Sequence, residues 1–387
     1  MMEKEGGIAV SEEVVPFRID VAESELDDLR ARLRRTRWAE ASTVEDWSQG
    51  VPLPYLQELC RHWADNYDWE TRQKRLNDFP QFRTEIDGLG IHFLHVRSTH
   101  PTAVPLILTH GWPGSFIEFI EVIGPLTDPT AYGGDAADAF HVVVPSLPGY
   151  AFSDKPSTTG WGVKKTAAAW ASLMARLGYD RYFAQGGDWG SMVTTSIGIQ
   201  DPEHVGGIHL NMVIAFPGPN DGEPTEMEQS ALARVNDYLA GDSGYSKQQS
   251  TRPQTLGYSL VDSPAGQCAW ILEKFWSWSD TAGDPVGALG ADRILDNVML
   301  YWLPATGASS ARMYWESFSN PPLDPVTVPM GASIFPKEIF RSSKRWAARQ
   351  FQDIRYWGEP NIGGHFAAFE QPALFVDELR ACFRLIR

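Results

Sequence analysis

A glycine-flanked aspartate at a strand-to-helix junction constrains this chain more than any other feature. The stretch Gln185-Gly186-Gly187-Asp188-Trp189-Gly190-Ser191 follows an apolar run, Tyr182-Phe183-Ala184, that has strand character, and it leads into Trp189 to Ile199, whose spacing is helical. Strand, sharp turn and helix in that order lift one side chain above a sheet edge, and flanking glycines permit the strained backbone this requires. An ordinary Gly-rich turn with a helix-capping Asp shares the local pattern. If the turn is an elbow, its carboxylate can attack carbon directly, with no hydroxyl proton to remove, and the product is a covalent ester.

The totals narrow the class. The 387 residues are enough for one large α/β domain with an insertion, or for two to three domains, and 43% hydrophobic content is ordinary for a globular protein. Fifteen Trp and 12% aromatics suit an apolar core and an aromatic-lined pocket. A net charge of -16 and a pI near 5.0 argue against nucleic acid, whose phosphates need a basic surface. Cys60, Cys268 and Cys382 are widely spaced and form neither a disulfide framework nor a metal pattern, so a reducing cytoplasm is expected. Met1 to Val15 carries Glu3, Glu5, Glu12 and Glu13 and has no apolar segment, and no later run reaches the roughly 18 apolar residues of a membrane span. No membrane partner is expected. Arg outnumbers Lys, which points to a GC-rich bacterial genome.

Along the chain, residues 1 to about 95 read as helical and separate from the rest of the chain. Ser24 is placed to cap a helix bearing Leu26, Leu29 and Leu33 on one face; Pro54 opens a second with Leu56, Leu59, Cys60 and Trp63; a third follows Asp68. Phe82 to Val96 alternates around Asp87-Gly88 as a hairpin would. Buried strands are then expected at Val104 to Thr109, Phe140 to Ser146, Tyr182 to Gln185 and Gly207 to Asn211, with helical stretches such as Val163 to Leu177 between them. Such alternation implies an α/β fold with a mostly parallel sheet, whose ligands sit beyond the carboxyl ends of the strands. From 214 to 320 the alternation stops, and helical, aromatic-rich segments suggest a cap inserted into the sheet domain. Val326 to Ala332 and Asp353 to Trp357 read as two further strands, and Phe369 to Leu385 as a closing helix.

Three positions complete a hydrolytic site around Asp188. His365, in Gly363-Gly364-His365-Phe366, follows the last strand, and so fits the chain order nucleophile, acid, histidine; a helix-capping histidine is the structural alternative. Glu338 is the preferred acid, ahead of Asp353 and Glu359, which read as strand surface. It would orient His365 and stabilise its cation while His365 takes a proton from water. His110-Gly111-Trp112-Pro113-Gly114 follows the first strand opposite the elbow, where the amides of Trp112 and Trp189 are the expected oxyanion donors. The nine His and three Cys show no metal-ligand spacing, and no phosphate-binding loop is present, so neither metal nor cofactor is implied.

Four motifs taken together are specific. His110-Gly111-Trp112-Pro113-Gly114-Ser115-Phe116, Leu147-Pro148-Gly149-Tyr150-Ala151-Phe152-Ser153, Gly187-Asp188-Trp189-Gly190-Ser191 and Gly363-Gly364-His365-Phe366-Ala367 resemble the α/β-hydrolase-fold epoxide hydrolases of the microsomal type. The Pro16 to Phe82 region is similar to that family's N-terminal domain, which wraps over the cap, and Pro253 to Asp280 is similar to the cap itself. The resemblance implies Asp188 as nucleophile, His365 as base and an acid in Phe335-Pro336-Lys337-Glu338. It adds Tyr245 and Tyr314, which match the family's paired cap tyrosines and whose hydroxyls would assist ring opening. Microsomal members carry a membrane anchor at the N-terminus, and the acidic start of this chain departs from that.

The expected organisation is therefore a helical N-terminal domain over 1–95, hydrolase core over 96–213, helical cap over 214–320 and the rest of the core over 321–387. An epoxide substrate, water and, by analogy with relatives, a homodimer are the expected partners. Bacterial secondary metabolism and detoxification are both open as roles. A haloalkane dehalogenase shares the fold, the Asp nucleophile and the Asp-Trp pair, but a leaving halide needs indole or amide donors rather than phenols. A non-catalytic hydrolase-like binding protein would lack a member of the triad.

Overall fold

The computed structural model describes residues 13–387, so most of the acidic N-terminal stretch lies outside the described residues. Among the described residues, nine strands form one sheet: β1 (Val15–Phe17), β2 (Gln81–Ile86), β3 (Leu89–Val96), β4 (Val104–Thr109), β5 (Phe140–Pro145), β6 (Tyr182–Gly186), β7 (Val205–Leu210), β8 (Met330–Ser333) and β9 (Ile354–Gly358). Their order is β1-β2-β3-β5-β4-β6-β7-β8-β9, antiparallel up to the β3–β5 pair and parallel from β5 to β9. The inner strands are continuous apolar runs because helices cover both faces. The β2–β3 hairpin turns on Asp87 and Gly88, both at positive φ.

These pairings revise the sequence reading of the first 95 residues. The hairpin and β1 extend the central sheet, so a division at residue 95 cuts strands that the sheet joins. The helices that precede the hairpin do face the cap. Trp63 Nε1 donates to Met299 Sδ at 3.3 Å, and Arg72 and Tyr67 both reach the buried Asp296 on the cap helix Ala291–Trp302. Leu26, Leu29, Leu33, Leu59 and Leu76 are buried. Each buried side chain of this size contributes about 1.5–3 kcal/mol, so packing rather than intrinsic propensity holds these short helices.

Local differences have local causes. Ser24 does not cap the first helix, Glu23–Arg34: Ala22 occupies the cap position with no side-chain bond, and Glu23 and Glu25 supply negative charge to the first turn instead. Asp68 does cap the third helix, through Thr71 N–H. The strand expected from Val326 shrinks to a bridge between Val326 and Phe351 followed by β8, because Pro329 has no amide to give a ladder. Phe369 to Leu385 is split into Ala367–Glu370 and Pro372–Ile386, the proline starting a new helix at the position it prefers.

Between β7 and β8 lies the cap. It comprises Glu226–Asp237, a π-helical turn Tyr238–Asp242, and the helices Gly244–Thr251, Pro253–Asp262, Pro264–Trp278, Pro285–Leu289, Ala291–Trp302 and Gly307–Ser317. No helix among the described residues is long and apolar enough to cross a membrane.

Candidate active site

Asp188 stands between β6 and the helix Trp189–Gln200 at φ 50° and ψ −129°, a left-handed conformation that a non-glycine residue adopts only under strain. The glycines around it are demanded by close approach. A Cβ on Gly186 would sit 2.0 Å from the Gly190 carbonyl oxygen, and one on Gly190 would sit 1.9 Å from the Thr109 carbonyl oxygen. A Cβ on Gly111 would meet Asp188 Oδ1 at 2.0 Å. Bare backbone at these three points lets the elbow, its helix and the turn after β4 converge on one carboxylate.

That carboxylate is held from two sides. Its Oδ1 accepts the Trp112 amide at 2.7 Å, and its Oδ2 lies 3.3 Å from His365 Nε2. On the far side of the imidazole, Nδ1 is 2.7 Å from Glu338 Oε1, which also accepts the Ile339 amide at 2.6 Å. Two loops must stay in register for this contact, and a bridge between Lys337 and Gly364 ties them together. Arg234 of the cap adds a clamp, donating to the carbonyls of Lys337 and Glu338 at 2.6 and 2.8 Å. The His365 amide is anchored to the Trp278 carbonyl at 2.9 Å. Asp353 and Glu359, expected on a strand surface, flank β9 at its two ends, Asp353 half-buried and Glu359 exposed, and neither contacts His365.

Electrostatics follow from burial. Desolvation on its own would lower the His365 pKa, but the charge of Glu338, with the contact to Asp188, outweighs it and holds the imidazole well above its ordinary 6.5.

Above the carboxylate, the cap presents two phenols. Tyr245 and Tyr314 are 7% and 3% exposed, with ring centroids 5.7 Å apart. Trp112 stacks on Tyr245 at 4.9 Å, and Trp189 meets Tyr314 edge-on at 4.8 Å. Burial pushes both phenols well above 10, so they hold their protons at neutral pH and are available as donors. Gly111, Trp112, Gly114, Glu118, Asp188, Asn211 and His365 help line a cavity of about 10 Å³, about the space one water takes, beside Asp188 and His365.

Comparison with known proteins fits this geometry. The sequence profile of the epoxide hydrolase N terminus matches residues 14–119, and that of the alpha/beta hydrolase fold matches residues 104–253. Epoxide hydrolase 1 of Sus scrofa is 34% identical over 409 residues, covering 98% of this chain and 90% of its own. A Stigmatella aurantiaca protein, whose name assigns it provisionally to the epoxide hydrolases, is 56% identical over 381 residues, covering 97% of this chain and 86% of its own. The chain belongs to the epoxide hydrolases of the α/β-hydrolase fold. The juvenile hormone epoxide hydrolase of Bombyx mori superposes with a TM-score of 0.90 at 30% identity, over 97% of this chain and 95% of the other.

All seven residues singled out in the sequence converge in this epoxide hydrolase: Asp188, His365, Glu338, Tyr245, Tyr314, Trp112 and Trp189. Two further groups at the site were not foreseen. Tyr238 touches Tyr245 through its hydroxyl; its signal was the seven-residue separation, two helical turns that put both rings on one side. Glu118 was hidden in the apolar run Phe116-Ile117-Glu118-Phe119, where a lone acid is the only signal. Burial pushes its carboxyl up to about 8, and nearby His365 only partly opposes that.

Glu118 carries a pH prediction. In the unfolded chain it releases its proton near 4.5, while in the folded enzyme it keeps the proton until about 8. The folded state thus binds more protons across that window, and stability falls as pH rises through it, by at most about 1.4 kcal/mol per pH unit. Glu118→Gln removes this term, so its Tm relative to wild type is expected to rise between pH 5 and pH 8. Parallel Tm profiles for the two proteins by scanning calorimetry would contradict it.

Proposed function

We propose that Asp188 attacks one epoxide carbon, forming a hydroxyalkyl ester, while Tyr245 and Tyr314 protonate the departing ring oxygen. His365, oriented by Glu338, then takes a proton from water, and the resulting hydroxide attacks the ester carbonyl. Trp112 N–H already bonds the carboxylate oxygen that becomes the oxyanion, at 2.7 Å. The Trp189 amide is the second donor: as the first residue of its helix, it has no carbonyl one turn back to bond. A vicinal diol leaves and Asp188 is restored.

The observation that carries this reading is the in-line arrangement of Glu338, His365 and Asp188 beneath two buried, protonated phenols. The aromatic rings packed against the two phenols, Trp112, Trp189 and Trp278, favour an apolar, aryl-bearing epoxide. Such a substrate suits two competing roles, tailoring in bacterial secondary metabolism and xenobiotic detoxification. The buried thiols of Cys60, Cys268 and Cys382 fit a reducing cytoplasm, and a homodimer is the expected assembly.

Intact mass of a His365→Gln protein tests the chemistry. With the water step blocked, incubation with styrene oxide should add the mass of the whole epoxide, mapping to Asp188. A parallel incubation with a bromoalkane separates the rival reading: gain of the alkyl group without bromine would mean a dehalogenase.

A further inference from the structure

The acid role of Tyr245 leaves a proton unaccounted for. Its hydroxyl is buried, and as it gives its proton to the opening ring the phenolate that forms needs a hydrogen donor in that same step and a proton from solvent afterwards. Tyr238 is placed to do this. Its hydroxyl lies 3.0 Å from that of Tyr245. Tyr238 also helps line a cavity of about 780 Å³ whose lining includes the exposed residues Ser48, Gln49, Asp237 and Gly241, so it opens to solvent. One residue therefore touches both the buried Tyr245 hydroxyl and the solvent-facing cavity.

The surroundings hold it there. Tyr238 begins the π-helical turn that ends at Asp242, a local irregularity that functional sites often retain. Asp242 accepts from the buried Lys274 ammonium at 2.5 Å and from Trp278 Nε1 at 2.6 Å, which fastens the turn to the helix Pro264–Trp278. Lys274 Nζ also lies 4.6 Å from the Tyr245 ring centroid, so the same contact fixes both phenols relative to each other. Phe340, two residues past the acid, packs edge-on against the Tyr238 ring at 5.2 Å.

From this we infer that Tyr238 is a positioning and proton-return residue acting through Tyr245, donating its hydroxyl hydrogen to the Tyr245 oxygen and refilling it from the solvent cavity. As the Asp188 Oδ–carbon bond forms and the ring carbon–oxygen bond breaks, the ring oxygen takes the Tyr245 proton. The Tyr245 phenolate takes the Tyr238 proton, and the Tyr238 phenolate takes one from cavity water. The proton that His365 later releases to solvent restores the balance, leaving epoxide plus water converted to diol. Burial raises both phenols above their ordinary range, so each holds its proton at rest and can donate it along the chain of hydroxyls. The inference rests on Tyr245 being an acid.

Single-turnover kinetics with styrene oxide tests it. Tyr238→Phe should slow alkylation of Asp188 about ten- to a hundredfold, the effect of one lost hydrogen bond to a charged oxygen, and leave ester hydrolysis at the wild-type rate. In mixtures of H2O and D2O the alkylation rate should curve for wild type, with two protons moving, and become linear for Tyr238→Phe. A structural role would slow both steps together and leave the curvature unchanged. Unchanged alkylation, or equal slowing of both steps, overturns the relay. Replacing Tyr238 by 3-fluorotyrosine makes the phenol more acidic at nearly constant shape and should accelerate alkylation; if Tyr238→Phe fails to fold, an unaltered rate in the fluorinated enzyme overturns the relay instead. Tyr245→Phe separates the premise: if it alkylates at the wild-type rate, the acid assignment fails, whereas slowing there without slowing in Tyr238→Phe removes the relay alone.

Discussion

Asp188→Asn is expected to abolish diol formation while leaving the fold intact. The amide has nearly the shape of the carboxylate, so its oxygen can keep the Trp112 N–H bond of 2.7 Å. Asparagine also tolerates positive φ better than most residues, so the elbow at φ 50° is not further strained. What is lost is nucleophilicity, since a neutral amide oxygen does not displace an alkoxide at carbon. Losses at covalent nucleophiles reach on the order of four to six decades in kcat, and a fall of that size is expected here. Far-UV circular dichroism and Tm should stay close to wild type. Residual turnover within tenfold of wild type, in protein shown by mass to be unchanged Asn at 188, would place the nucleophile elsewhere.

This expectation was legible from residues because the elbow is written locally. Gly186, Asp188 and Gly190 lie within five positions; Gly186 answers a clash inside the strand-turn-helix unit, while Gly190 answers the approach of the Thr109 carbonyl at the end of β4. The β/α alternation from Val104 to Leu210 was equally local, since apolar run length and helical spacing are properties of short windows. What the chain order left uncertain was pairing at a distance. Nothing within residues 81–96 indicates that the hairpin docks antiparallel beside β5 rather than standing apart, because an alternating strand offers both edges alike. Glu338 could be ranked above Asp353 and Glu359 only by loop position; its contact with His365 depends on a bridge between Lys337 and Gly364 that sequence spacing does not encode. Tyr245 and Tyr314, sixty-nine positions apart on different cap helices, were visible only through family resemblance. Aromatic residues at helical spacing ordinarily mean core, and these two are also core by burial.

That double character makes the tyrosines the sharper test of the mechanism. Removing both hydroxyls, in Tyr245→Phe with Tyr314→Phe, keeps the rings that stack on Trp112 and Trp189, so packing should change little. The departing alkoxide would then lack its proton donors. Positioned general acids contribute about 10²–10⁴-fold, and alkylation of Asp188 should slow by that order. Hydrolysis of the ester should be nearly unaffected, because the proposed route for that step runs through His365, Glu338 and the backbone amides and uses neither phenol. The two steps separate in a single-turnover experiment that follows ester formation by quenched-flow mass analysis and diol release by chromatography. If both steps slow alike, the hydroxyls shape the pocket rather than supply protons. If neither slows, ring opening draws its proton from elsewhere, and the contacts between the cap phenols serve packing alone. Slowing confined to the first step would assign the acid, and the ratio of the single-variant effects would say how the two phenols share it. Tyr245 bonds to Tyr238 at 3.0 Å and so has a route to solvent, so its loss should cost more than the loss of Tyr314.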